Sequence, residues 1–537
     1  MRTEAPVQVI PGDRPAFDAA MHDLVQDRVA GRLFARDHTL WGPAAESEAS
    51  KRLAWVDLAR TSRAIVEPIA ARRQALQADG IDRIVLCGMG GSSLAPEVIC
   101  ADAGVDLVVL DSSHPDAVRD VIDTDLARTA VVIASKSGGT VETDSQRRAY
   151  EQAFIDADID PATRMIVVTD PGSPLDEFAT ERGWTVFRAD PEVGGRYSAL
   201  SAFGLVPSGL AGVDLEVLLD DAAALVPVLQ DDVPSNPGLQ LGALMAVAAR
   251  EGVDKMVLGD TRTPSVGFAA WVEQLVAEST GKDGTGILPI DVGSTSAPNF
   301  VDATNDSMLV SCGPAEGAPD ASSGWSAHVD APMGAQMLVW EVATAVAGRL
   351  LGINPFDQPD VESAKDAARA MLDGDTETWT PDFVDGDVQV FTAGDWLPDG
   401  TSTVAEAVRA LLGRLDDEHG YLAVQAYLDR DRDAVVTDLR DALARRTSRP
   451  VSFGWAPRFL HSTGQYHKGG PAQGVYLQVT GAQTQDLAVP DRPFTFGEFI
   501  GAQAAGDAHV LGSRGRPVLR LHVGKPEGLA TLREDVG

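Results

Sequence analysis

Between residues 83 and 189 five short apolar runs, RIVLCG, DLVVLDS, AVVIAS, MIVVTD and WTVFRA, alternate with stretches that read as helix. An uninterrupted apolar run of this length is what a parallel strand covered on both faces looks like, and parallel neighbours need a crossover between them. The alternation therefore predicts an α/β chain with a doubly wound parallel sheet. A second series follows: KMVLGD (255–260), the helix GFAAWVEQLVAEST, GILPI (286–290) and SMLVSCG (307–313). Residues 318–326 read as a loop and AQMLVWEVATAVAGRLLG as a strongly apolar helix. In the C-terminal third TSTVAEAVRALLGRL and DLRDALARRTS read as helices, YLAVQAYL and PVSFGW as strands. The chain divides into a mainly helical N-terminal segment (1–54), a first sheet domain (55–215), a second (216–368), and a C-terminal α/β region (369–537) available to complete the second. The two sheet halves are candidates for a duplicated fold.

Two strand ends carry unusual loops. AVVIA runs into SKSGGTVETD, which offers three hydroxyls (Ser135, Ser137, Thr140) and two glycines before a helix; RIVLCG runs into GMGGSS, with Gly90, Gly91, Ser92 and Ser93 before another. Hydroxyls and exposed N–H groups at a helix N-terminus suit an anion. Neither loop has the GxxxxGK[ST] spacing of nucleotide hydrolases, so a phosphomonoester is the natural ligand. A single such loop is an ordinary capped turn; two in one alternating series are more specific.

The formal net charge of -35 disfavours nonspecific nucleic-acid binding and docking on an anionic membrane. A phosphorylated substrate then needs local cations. Lysine is rare, seven against thirty-seven arginines, and Lys136, Lys282, Lys365 and Lys468 all fall in glycine- or hydroxyl-rich segments. Cys87, Cys100 and Cys312 form no CxxC pair and sit in apolar surroundings, which reads as reduced core thiols rather than a disulfide framework or zinc site. No signal peptide or membrane span is legible, so a cytoplasmic protein is expected. No His, Cys and carboxylate cluster has ligand spacing, and neither a metal nor another cofactor is expected.

Taken together, GMGGSS, SKSGGTVET, VGGRYSALSAFG, AESTGKDG, NPFDQPDVESAK and STGQYHK resemble the signature segments of the phosphoglucose isomerase family, built on two sugar-isomerase (SIS) domains. In this chain the histidine segment follows the lysine segment, the reverse of the common order. That order and the SGGT loop resemble the isomerase part of transaldolase/phosphoglucose isomerase fusion proteins, without a transaldolase domain. The resemblance implies interconversion of glucose 6-phosphate and fructose 6-phosphate through a cis-enediolate, with Ser92, Ser135, Ser137 and Thr140 around the phosphate and Gly90, Gly91 and Gly195 letting backbone approach the sugar. Lys136 is at most an auxiliary contact.

The chemistry needs one base to move a proton between C1 and C2, and Glu278, beside the turn STGK at a helix end, is the candidate. Developing negative charge on the enediolate calls for a fixed cation, which Arg196 of GGRYS can supply. The resemblance assigns ring opening to His467 and Lys365; His461 is the near competitor, its ordinary role being a hydrogen-bonded core histidine. A dual glucose/mannose 6-phosphate isomerase and a noncatalytic phosphosugar-binding regulator are the alternatives. A weaker one is an NAD-dependent dehydrogenase using Asp111 as ribose ligand. A homodimer is compatible with the resemblance, and His467 is the residue that another subunit would most readily supply.

Overall fold

The computed structural model describes residues 6–314, 317–360, 380–525, 528, 529, 532 and 536. The stretch expected to be helical opens instead with a four-residue strand, β1 (Val7–Ile10), before the helices Arg14–Gln26 and Val29–Phe34. VQVI is too short to register as a strand locally; it is held by antiparallel pairing with a strand more than three hundred residues away.

The first sheet contains β2 (Arg83–Gly88), β3 (Val108–Leu110), β4 (Thr129–Ala134), β5 (Met165–Thr169) and β6 (Thr185–Arg188), in the order β3-β2-β4-β5-β6, all parallel. Its two faces meet different cores. Val85, Cys87, Val131 and Ile133 pack with Tyr150 and Phe154 of the helix Val141–Asp156, whereas Leu86, Val132 and Val168 join the large cluster that includes Leu94, Val98 and Ile99 of the helix Leu94–Ala103. Covered on both sides, the central strands β2, β4 and β5 are almost wholly buried and mostly apolar, while the edge strand β6 ends in the exposed Arg188. The order reverses between β2 and β4, so the helices that follow them leave on opposite faces and a crevice opens between them at the carboxyl ends of the strands.

The second sheet contains β7 (Lys255–Asp260), β8 (Leu288–Ser294), β9 (Ser307–Cys312) and β10 (Ser326–Val329), with β1 beside β10. Residues 318–326 were expected as loop; β10 begins at the last of them, its polar Ser326 and His328 buried by neighbouring strands rather than announced by hydropathy. The helix Met333–Leu351 is buried from Met333 to Gly348 because it packs against the helices Leu215–Leu229, Pro237–Arg250 and Phe268–Thr280, and it carries Gln336, Glu341 and Thr344 into that interior.

The C-terminal region does not complete the second sheet. It forms a third: β11 (Phe383–Asp385), β12 (Val388–Ala393), β13 (Tyr421–Tyr427), β14 (Val451–Trp455), β15 (Gly474–Gly481) and β16 (Val518–Val523), in the order β11-β12-β16-β15-β13-β14. All three sheets share one winding over four parallel strands: β3-β2-β4-β5, β8-β7-β9-β10 and β14-β13-β15-β16. The second and third also share an antiparallel neighbour on the fourth strand, β1 on β10 and β12 on β16. The third sheet has its own core around Leu422, Val424, Leu477, Leu519 and Leu521. It meets the second through Tyr421, Tyr466, Tyr476 and Leu511, packed with Val257, Leu288 and Leu309. The three cysteines are free and buried. Among the described residues no helix is long and apolar enough to cross a membrane.

Candidate active site

The loops singled out in the sequence become neighbours because Gly88 stands opposite Ala134 in the β2–β4 register. Gly90–Ser92 form a 3-10 turn before the helix Leu94–Ala103; Ser135–Thr140 lead into Val141–Asp156. Ser135 Oγ donates to Thr140 Oγ1 at 3.1 Å, and the Gly139 N–H donates to Ser137 Oγ at 3.2 Å. Ser137 is exposed and Ser92 and Thr140 half-buried, so hydroxyls line the crevice mouth. Lys136 does not face them: its Nζ is paired with Asp170 at 2.7 Å. Phosphate held here would therefore rest on hydroxyls and N–H groups. Ser137→Ala and Thr140→Ala should each raise KM by about one to two orders of magnitude, the equivalent of hydrogen bonds to an anion worth roughly 1.5–3 kcal/mol, with kcat changed less. Steady-state kinetics on a phosphosugar checks this, and an unchanged KM in both variants would move the phosphate elsewhere.

The glycine loop docks on the arginine loop. A Cβ at Gly91 would lie 2.1 Å from the Gly195 carbonyl oxygen and 3.0 Å from the Arg196 nitrogen, so only glycine fits. The Ser198 hydroxyl donates to the carbonyls of Gly195 and Gly91. At Gly195 no atom would meet a Cβ within 4 Å, so its role is not steric in this state.

Arg196 is buried, at 5% exposure. Its Nε donates to Ser279 Oγ (2.8 Å), Nη1 to Gln358 Oε1 (2.9 Å), and Nη2 to the carbonyls of Pro355 (2.7 Å) and Asp357 (2.9 Å). Nη1 also lies 3.4 Å from Oε1 of Glu278. Glu278 occupies the last turn of the helix Phe268–Thr280, which ends at Gly281, where a Cβ would strike Tyr466 at 2.5 Å. Its other oxygen, Oε2, accepts from Gln274 Nε2 at 3.2 Å. The carboxylate is thus fixed by a cation on one oxygen and an amide on the other. Lys282, 2% exposed, donates from Nζ to the Asn354 and Asp357 carbonyls and to Asp357 Oδ1 (2.7, 2.6 and 2.7 Å). Burial, with the neighbouring Arg196 charge, pushes it down to about 8. The NPFDQ segment is consequently wrapped around two buried cations, and Gln358 and Asp357 join the site although neither was anticipated.

The histidines exchange places. His467 is 2% exposed, with its ring near those of Tyr421, Tyr476 and Phe459 and its Nδ1 3.4 Å from Gln425 Nε2. Burial, reinforced by Lys468 and Arg516, holds it well below the usual histidine range. It is a neutral core residue that makes no contact with Arg196 or Glu278, so the structure does not bring it into the constellation expected for it. His461 does join. It lies against the glycine loop, with its Cβ 3.0 Å from where a Gly90 Cβ would stand. Its carbonyl accepts from the same Gln274 amide that holds Glu278, and its Nε2 is 3.0 Å from Oε1 of Glu142, to which Gln503 Nε2 also donates at 2.8 Å. Glu142 comes from the SKSGGTVET segment itself. The sequence signal for this was the i, i+6 pair of histidines in HSTGQYH, which spacing alone could not rank. Lys365 lies outside the described residues.

Lys468 is spent on Asp507 at 2.5 Å in the core. Asp111 is buried at 4% exposure with its Oδ2 2.5 Å from Arg458 Nε, so it is not free to hold a ribose, and the dehydrogenase reading loses its acid. Among the described residues no group of three or more His, Cys, Asp or Glu is arranged to hold a metal.

Residues 59–286 match the family model described as phosphoglucose isomerase. The chain is 29% identical over 363 residues to glucose-6-phosphate isomerase of Rubrobacter xylanophilus, covering 55% of this chain and 84% of that protein. It is 27% identical over 444 residues to glucose-6-phosphate isomerase of Rippkaea orientalis, covering 68% and 81%. Among solved structures, a glucose-6-phosphate isomerase from Chlamydia trachomatis superposes with a TM-score of 0.55 at 20% identity over 68% of this chain and 87% of that one, a likeness of fold.

Proposed function

We propose that this chain is a glucose-6-phosphate isomerase, interconverting glucose 6-phosphate and fructose 6-phosphate through a cis-enediolate. The observation that carries the reading is the Glu278 carboxylate fixed between Arg196 and Gln274, the latter lying against Gly90 of the GMGGSS loop. Glu278 takes the proton from one of C1 and C2 and returns it to the other; Arg196 offsets the charge that develops on the enediolate oxygens. The phosphate rests among Ser92, Ser135, Ser137 and Thr140. The family match over residues 59–286 and the relatives named glucose-6-phosphate isomerase support the same reading. Within the family, the order of the lysine and histidine segments supports placement near the isomerase part of transaldolase fusion proteins. A coupled assay with fructose 6-phosphate as sole substrate, without added cofactor or metal, tests the proposal; no turnover to glucose 6-phosphate would leave only a phosphosugar-binding role.

Ring opening falls to His461 rather than His467. A histidine hydrogen-bonded to a carboxylate can exchange a proton with the ring oxygen or the C1 hydroxyl and be restored by its partner. His467, neutral and enclosed by tyrosines, lacks that partner. Lys365 remains a candidate second group on the strength of the resemblance. His461→Ala should slow the closed-ring sugar roughly tenfold or more while leaving an open-chain analogue much less affected. His467→Asn should change both reactions little beyond its effect on stability. Equal losses on the two substrates in His461→Ala would remove His461 from ring opening.

A further inference from the structure

Two tryptophans of the N-terminal segment reach the residues around Arg196. Leu53 bridges Val193, the Ala54 N–H donates to the Glu192 carbonyl at 3.3 Å, and Arg52 Nη1 donates to the Pro191 carbonyl at 3.2 Å, so the turn Ala54–Asp57 is fastened to the chain just before GGRYS. Trp55, fully buried in that turn, stacks on Tyr197 with ring centres 5.1 Å apart and planes 28° apart. Trp41 packs edge-on against Phe356 at 4.7 Å, and its indole N–H donates to the Ala345 carbonyl of the helix Met333–Leu351 at 2.9 Å. Phe356 and Tyr197 meet at 5.4 Å. The four rings form one column in the order Trp41, Phe356, Tyr197, Trp55, at the centroid spacings that aromatic pairs prefer.

Both middle rings belong to segments that hold Arg196. Tyr197 follows it directly, and Phe356 lies between Pro355 and Asp357, the two residues whose carbonyls accept from Nη2. The register of GGRYS against NPFDQ is therefore set twice, by the guanidinium and by the ring contact. The Tyr197 hydroxyl extends this frame to a third contact. Its oxygen lies 3.4 Å from Ser279 Oγ, and the two residues are 1% and 0% exposed. Ser279 Oγ already accepts from Arg196 Nε at 2.8 Å. A serine hydroxyl carries one proton and two lone pairs on a freely turning bond, so a second partner stops the rotation with a lone pair toward Nε, whichever of the two oxygens donates. Burial raises the Tyr197 phenol above its ordinary range, and it keeps its proton at neutral pH.

We propose that Tyr197 is a positioning residue for Arg196: its hydroxyl fixes the Ser279 hydroxyl that receives Nε, and its ring, clamped between Trp55 and Phe356, holds the loop that carries the arginine. Ser279 directly follows the base, and Arg196 Nη1 lies 3.4 Å from Glu278 Oε1. A guanidinium turned about its Nε would lose both that contact and its aim at the enediolate oxygens. The kinetic consequence rests on the isomerase reading; the effect on Arg196 itself does not.

Tyr197→Phe removes the hydroxyl and keeps the ring, so the column and the fold persist. In this variant kcat for fructose 6-phosphate should fall roughly three- to tenfold with KM nearly unchanged, the consequence of losing one hydrogen bond behind the transition-state cation. In an Arg196→Lys background the same substitution should cost nothing further, because no Nε remains to be aimed, whereas a tyrosine with a merely structural role would add its loss to that of the lysine variant. Independently of turnover, the Arg196 Nε–H resonance, assigned by its disappearance in Arg196→Lys, should exchange with solvent roughly threefold faster or more in Tyr197→Phe than in wild type. A kcat or an exchange rate equal to wild type, or a kcat loss that repeats in full in the Arg196→Lys background, overturns the proposal. If the wild-type protein does not turn over fructose 6-phosphate, the isomerase reading has failed and the exchange rate alone decides the role of Tyr197.

Discussion

Glu278→Gln should fold normally, bind fructose 6-phosphate nearly as well as wild type, and lose roughly two to four orders of magnitude in kcat. Glutamine keeps the length and shape of the side chain, so a hydrogen bond with Gln274 can be retained and the helix Phe268–Thr280 has no reason to move. What disappears is basicity. The base must reach the hydrogen on C1 or C2 to within about 3 Å; Arg196 and Lys282 are donors, the Asp357 carboxylate is turned onto Lys282, and the Glu142 carboxylate is held by His461 and Gln503. The Arg196 contact at 3.4 Å limits how far the Glu278 carboxylate can swing, which suits a proton moved between adjacent carbons. The same substitution should abolish exchange of the C2 proton of glucose 6-phosphate with solvent deuterium, because exchange and isomerisation share the abstraction step. Near-wild-type turnover and exchange in Glu278→Gln would place the base elsewhere.

Much of the first sheet is legible in the amino-acid sequence. The five strands of the first sheet and the hydroxyl loops after β2 and β4 rest on local signals: continuous apolar runs, and glycine and hydroxyl bursts at strand ends. The features that were missed depend on partners remote in sequence. VQVI becomes β1 only because β10 needs an edge partner. The C-terminal strands read as α/β, but that they wind into a sheet of their own follows from the core around Leu422 and Leu519, which no local period reveals. The two histidines are told apart in the same way, by remote partners. His461 and His467 sit six residues apart in similar sequence, and what separates them is that one meets Glu142, 319 positions away, while the other meets Tyr421 and Tyr476. Gln274, one helical turn before Glu278, was the missed residue with a local signal, since i, i+4 places two side chains on one face.

Arg196→Lys should lower kcat by roughly two to three orders of magnitude, the range seen when one fixed donor to a developing oxyanion is removed. Charge is conserved in this variant; geometry is not. The guanidinium reaches Ser279, Gln358 and the carbonyls of Pro355 and Asp357 at once, and it is these bonds that hold it 3.4 Å from the base. A lysine has three donors on one freely rotating centre and cannot meet four acceptors spread over two segments. It would leave some of the buried carbonyls without a donor, so a fall in Tm of several degrees should accompany the kinetic loss. The two effects are separable. If Arg196 acted only by holding the NPFDQ segment, KM would rise with the loss of stability and affinity for an enediolate mimic would fall no more than affinity for fructose 6-phosphate. If it stabilises the enediolate, a hydroxamate analogue of that intermediate should lose affinity in parallel with kcat/KM across Arg196→Lys and Arg196→Ala, while affinity for the substrate changes far less.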